Sequence, residues 1–271
     1  MINTSQFLLT LFLLSFLGCT CSVVKPLDIR NDYLKKKLQQ SDYKKGKTLL
    51  LKMEDAYGGK ENWLAYEKGT FVQRADWYGR KKISGWDTIP QLFEMTSFFG
   101  TENCELTLLN GKNKGTKWGI QDGNFYSQKI NQEKNPNRNN HQIDKLLFKN
   151  YWFQFPFRVG EAAIISYAGK GEIEGKQYDL IYATWGSEKA NKDYDQFLLF
   201  LNEETHFVEY LHFTVREKFS AISFTARFDE FKKVNNLVFP FAQYVTQGKP
   251  QKSGMKMHEN HYVEIKLDEV K

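Results

Sequence analysis

From Lys68 to the C-terminus, apolar residues recur at every second position in short runs separated by turn-forming pairs, and this pattern limits the possible folds more than any other feature of the chain. Phe71, Gln73, Ala75 and Trp77 alternate with Val72, Arg74, Asp76 and Tyr78. Cys104, Leu106 and Leu108 share a face, and Asn110-Gly111 behind them suits a hairpin because both residues tolerate positive φ. Asp122-Gly123 joins 117–121 to 124–127 by the same device, and Glu174-Gly175 links a strand ending at Ile173 to one running from Tyr178 to Trp185. Gln196 to Leu201 is nearly continuously apolar, which implies a central position in the sheet. Asn202 to Thr205 turns it into Phe207 to Arg216, where Phe207, Leu211, Phe213 and Val215 share a side. Ile222, Phe224, Ala226 and Phe228 lead to Asn235-Asn236 and then to Leu237 to Thr246, whose Pro240 predicts an edge, a bulge or a bend. Val263, Ile265 and Leu267, opposite Tyr262, Glu264 and Lys266, close the series. About ten strands in tight succession predict an antiparallel meander.

Two segments depart from that period. Between Ser41 and Tyr57, Leu49, Leu50, Met53, Ala56 and Tyr57 recur at helical spacing; Gly58-Gly59 ends this helix, and Glu61 to Tyr66 reads as a short second one. A polar, Asn-rich loop from Asn131 to Asn140 leads into His141 to Phe153, where Ile143, Leu146, Leu147 and Trp152 suit a helix that Gln154-Phe155-Pro156-Phe157 is expected to end. The sum is an α+β domain in which helices cover one face of a large curved antiparallel sheet.

The N-terminus reads differently. Phe7 to Leu17 is apolar but far shorter than the ~20 residues of a spanning helix, which marks a signal-peptide core with an uncleaved anchor as its rival. Phe16-Leu17-Gly18-Cys19 resembles the lipobox of bacterial lipoproteins, which implies that Cys19 is lipidated. The expected division is a signal peptide over 1–18, a tether over 19–40 and one folded domain over 41–271. With Cys19 acylated only Cys21 and Cys104 remain, so a disulfide framework is not expected. The net charge of +6 is spread along the chain, with short runs such as Lys35-Lys36-Lys37 and Lys81-Lys82, and gives no nucleic-acid footprint.

Enzyme signatures do not stand out. Nucleophile-elbow, Walker, dinucleotide and zinc-protease motifs are all missing. His258 and His261 would point to opposite faces of a strand, which disfavours a metal site, and His212 reads as a solvent-facing or hydrogen-bonded sheet residue. Asp193 and Asp195 share parity and keep a hydrolase in view, in a stretch typical of a solvated loop. The expectation is no catalysis, no cofactor and no metal.

The order of elements resembles the LolA/LolB-like lipoprotein-carrier superfamily, and in particular a branch of exported, uncharacterised proteins of Bacteroidetes-type bacteria. The resemblance rests on Ala56-Tyr57-Gly58-Gly59 with Trp63, on Gln121 to Tyr126, on the aromatic run Phe153 to Phe157, and on Gly175 to Ile181, Asp193 to Phe200 and Val234 to Pro240. It implies an incomplete β-barrel lidded by helices, of the kind in which carriers shield the acyl chains of lipoproteins. It further implies a lipid-anchored protein of the cell envelope, at the outer membrane and facing the periplasm.

The chain carries 22 Phe, 14 Tyr and 6 Trp, more ring surface than a thin meander requires. Either the rings fill a large curved core, or some of them line a cavity between sheet and helices. The candidate lining residues are Phe71, Trp77, Trp118, Tyr126, Phe213, Phe224 and Phe228, with Trp152, Phe153, Phe155 and Phe157 as the lid. The expected function is binding of an apolar ligand, a lipid or a lipoprotein acyl chain. The alternative is an envelope scaffold with a filled core and no ligand.

Overall fold

The computed structural model describes residues 25–34, 37–79, 84–250 and 255–270. The signal-peptide run, Cys19, Cys21 and the Lys81-Lys82 pair lie outside the described residues. Helix α1 (Gln40–Ala56) and a short α2 (Lys60–Leu64) come first. Strands β1 (Tyr66–Trp77), β2 (Gln91–Phe98), β3 (Cys104–Leu108), β4 (Lys117–Gln121), β5 (Asn124–Gln128) and β6 (Asn135–Pro136) then run outward to one edge. Helix α3 (Asn140–Arg158) carries the chain to the opposite edge. From there β7 (Ile164–Ile173), β8 (Lys176–Thr184), β9 (Gln196–Asn202), β10 (Val208–Val215), β11 (Phe219–Val234), β12 (Leu237–Gln247) and β13 (Lys256–Glu269) return inward. Pairing of β13 with β1 fuses the two meanders into one open curved sheet, thirteen strands among the described residues, with β6 and β7 at its edges.

The hairpins follow local backbone chemistry. Asp122 and Gly123 (φ 50° and 76°) and Glu174 and Gly175 (φ 52° and 81°) put both central residues at positive φ, the geometry that matches strand twist. Asn110-Gly111 does not form the expected tight hairpin. The side chain of Asn110 accepts from Leu92 N (2.8 Å) and donates to Pro90 O (3.0 Å), which ties it to β2 and leaves a wider loop between β3 and β4. Two strands escaped the periodicity: β6 is only two residues long, and β2 has apolar residues on both faces, with polar Gln91 and Ser97 buried beside Phe93 and Met95.

The alternation also shifts within β13. Val72 of β1 opposes Glu264 but Gln73 opposes Tyr262, so Val263 is a bulge residue. Tyr262 therefore turns inward with Ile265, whereas Val263, expected to share the face of Ile265, is 63% exposed.

Packing overrides two further expectations. Helix α3 continues through Pro156 to Arg158 instead of ending before it. An internal proline costs ~3 kcal/mol, but Phe153, Phe155 and Phe157 are all buried here, at ~1.5–3 kcal/mol each, and the burial prevails. On the convex face, residues 27–34, part of the segment read as a tether, lie across β8, β9 and β10, with Ile29 and Tyr33 packed against Tyr178, Leu180, Tyr182, Leu198 and Phe200. Strand β9 is consequently buried on both faces, and it lies inside the sheet, two strands in from edge strand β7. His212 lies beneath Tyr33, fully buried, and neither ring nitrogen has a hydrogen-bond partner among the described residues. It is neither solvent-facing nor satisfied, and burial pushes its pKa down to about 4.

Helix α1 covers edge strand β7. It approaches so closely that a Cβ on Gly46 would come within 2.5 Å of the Ser166 backbone. The C-terminal half of α3 is pinned by a buried polar group. Ser97 Oγ donates to Asn150 Oδ1 (2.5 Å), Gln154 Nε2 donates to Ser97 Oγ (2.9 Å), and Gly100 N donates to Gln154 Oε1 (2.9 Å).

Candidate functional site: a cavity beneath the lid helix

Between the N-terminal half of α3 and the concave face of the sheet lies a cavity of about 540 Å³, within the range of small-molecule sites. Its floor comes from alternate residues of adjacent strands: Ala75 and Trp77 of β1, Phe213 of β10, Phe224 and Ala226 of β11, Val245 of β12 and Tyr262 of β13. Trp86 closes one side, and Phe148, Lys149 and Trp152 descend from the helix. Phe148 and Phe219 line the cavity yet remain 40% and 43% exposed, which marks where it meets the surface.

The proposed lining residues separate into three groups. Trp77, Trp152, Phe213 and Phe224 face the cavity. Phe71, Phe153, Phe155, Phe157, Phe228 and Trp118 are buried in ring-to-ring packing. Phe153 lies 4.4 Å from Phe71, Phe157 stacks on Trp63 (5.2 Å), Phe155 on Phe228 (6.0 Å), and Trp118 on Trp86 (6.0 Å). Tyr126 projects from the opposite face and donates to Glu105 Oε2 (2.7 Å). Both readings of the aromatic surplus are thus realised in different places.

Polar residues that the periodicity did not single out complete the wall. Lys149 Nζ donates to Gln73 Oε1 (2.6 Å) and Asn260 Oδ1 (2.5 Å). Lys145 Nζ donates to the His141 carbonyl (3.1 Å) and lies 4.8 Å from the Trp86 ring. Removal from water penalises the charged form of both: Lys149 is pushed down to about 7, with the charge of Lys145 adding to the effect, and Lys145 to about 8. His258 stacks on Trp77 (5.7 Å, 12°), and burial followed by the Lys149 charge pushes it down to about 3, so the ring is neutral at pH 7. A sequence signal for this part existed in the spacing of Lys145, Lys149 and Trp152, at i, i+4 and i+7 on one helix face.

The groups considered for catalysis do not assemble. His258 faces the cavity while His261 lies on the other side against Tyr244, and no cluster able to hold a metal occurs among the described residues. Asp195 Oδ1 accepts from Thr214 Oγ1 (3.0 Å) and Arg216 N (2.7 Å), a structural tie between strands, while Asp193 is exposed.

Neither a protein-family model nor a curated protein matches the sequence. Solved structures do match the fold. A domain described as an outer membrane lipoprotein-sorting protein from Vibrio parahaemolyticus superposes with a TM-score of 0.52 at 9% identity, covering 83% of this chain and 93% of that one. A LolA superfamily protein from Nitrosomonas europaea gives 0.51 at 13% identity over 83% and 94%. A DUF1329 family protein from Desulfovibrio piger gives 0.52 at 11% identity over 84% and 93%. The chain has a LolA-like fold, an open curved sheet lidded by helices.

Proposed function

We propose that the protein is a non-catalytic lipid-binding lipoprotein of the cell envelope, which holds an apolar ligand, a lipid or a lipoprotein acyl chain, in the cavity beneath α3. The observation that carries this reading is the cavity itself, about 540 Å³ and floored largely by apolar side chains. Burying about fourteen methylenes at ~0.8 kcal/mol each would contribute on the order of 10 kcal/mol before ordering costs, enough for stable carriage. The similarity to a LolA superfamily protein and to a lipoprotein-sorting domain agrees with such a role. An acylated Cys19 would hold the protein at the outer membrane, facing the periplasm, with no further contact needed.

Titration of the purified protein with a fluorescent fatty-acid probe tests the cavity: saturable, blue-shifted emission is expected, and its absence leaves only an anchored scaffold. Metabolic labelling with an alkyne fatty acid tests the anchor. Label should enter the wild-type protein and be lost in Cys19→Ser; label that persists in the variant overturns the assignment.

A further inference from the structure

The apolar floor of the cavity is matched by a polar wall whose charges outside ion pairs are both positive. Lys145 and Lys149 stand one helical turn apart on α3, a spacing at which like charges repel, and neither forms an ion pair among the described residues. The two partners that Lys149 does have, Gln73 and Asn260, offer neutral amide oxygens, so its ammonium has a third N–H to give. The carboxylates of the wall are already neutralised: Asp144 pairs with Lys218 (3.0 Å) and Asp76 with Arg74 (2.9 Å). One further buried wall atom lacks a partner among the described residues, Trp77 Nε1, and it is a donor.

A slot for hydrocarbon alone gains nothing from two ammonium groups, whose partial desolvation is unfavourable without a counter-charge. An anion placed among Lys149, Lys145 and the Trp77 indole N–H would convert that cost into charge-assisted hydrogen bonds. We infer that the ligand is an amphiphile with one anionic headgroup, carboxylate or phosphate, its head held by Lys149 and Lys145 and its chain laid along Trp77, Trp152, Phe213 and Phe224. The inference rests on the lipid-binding reading and narrows it, because an acyl chain in ester or amide linkage brings no anion of its own.

The test is displacement of a neutral fluorescent probe, N-phenylnaphthylamine, from the full chain by dodecanoate, dodecyl phosphate and dodecanol, which share one chain length. At least one of the two anions should displace the probe at a concentration tenfold or more below that of dodecanol, and the stronger of them identifies the head. In Lys149→Met and Lys145→Met the ratio should fall severalfold, with dodecanol little changed. Probe binding with equal displacement by anions and alcohol overturns the headgroup assignment and leaves lipid binding standing. Failure of the probe and all three ligands to bind overturns both. The wild-type ratio decides the question even if Lys149→Met does not fold.

Discussion

The two ends of helix α3 face the same concave sheet with opposite results. At its C-terminal end, Phe153, Phe155 and Phe157 interlock with Phe71, Phe228, Phe239 and Trp63, and Asn150 and Gln154 draw the helix onto the turn after β2. At its N-terminal end the downward-facing residues include Lys145 and Lys149, whose charged heads need polar company, and a gap of about 540 Å³ remains. Aromatic content alone therefore does not decide whether a lidded sheet is solid or hollow. Its placement relative to the lid's charged positions does.

The contrast can be broken most forcefully at the solid end. Phe153→Ala removes a ring that is 3% exposed and should cost ~3–5 kcal/mol in a denaturant titration, as expected for truncation of a core aromatic. At the hollow end, Ala226→Phe adds a ring where there is space to receive it. Probe affinity should fall at least tenfold, ~1.4 kcal/mol, while the melting temperature moves far less than in Phe153→Ala. Again at the solid end, Gln154→Ala leaves Ser97 and the Gly100 amide short of partners, with an expected loss of ~1–3 kcal/mol.

The smallest effect is a pH slope in the ligand-free protein. Lys149 titrates at about 7 when folded against an ordinary 10.5, so between those values the unfolded chain binds more protons and stability rises with pH. The penalty is complete below about pH 7. The other titratable groups around the cavity are Asp144, Lys145 and His141 on α3, Asp76 on β1, His258 and Tyr262 on β13 and Lys218. Of these Lys145, at about 8, adds a slope of the same sign, while His258, at about 3, stays neutral throughout. Melting temperatures at pH 7 and pH 9 should therefore differ less in Lys149→Met than in the wild type; an unchanged difference would show that the lysine is not desolvated.

Much of the fold was legible because it is written locally. Asp122-Gly123 and Glu174-Gly175 encode their turns in two residues, and the unbroken apolar run of β9 marked it as a strand inside the sheet. What covers the outer face was not legible: the strap of residues 27–34 meets the strand about 170 positions away, where Ile29 N donates to Gln196 Oε1. The bulge at Val263 was also hidden, since one extra residue reverses a period-two pattern only when the partner strand sets the register. For the site, the apolar members Trp77, Trp152, Phe213 and Phe224 could be proposed from strand parity and helix spacing. The joining of Lys149 to Gln73 and Asn260 could not, because they come from α3, β1 and β13 and become a group only where those elements meet.

The sequence by itself determined the class of molecule: alternating strands with local turn chemistry, two helical segments, and ring surface beyond the needs of a thin sheet. Each of these follows from short-range sterics and periodicity, which are properties of neighbouring residues. Only the tertiary structure decided which rings fill and which enclose, and that a pair of lysines borders the space they leave. Those outcomes depend on the height at which α3 sits above the sheet, and that height is set by contacts between residues far apart in the chain.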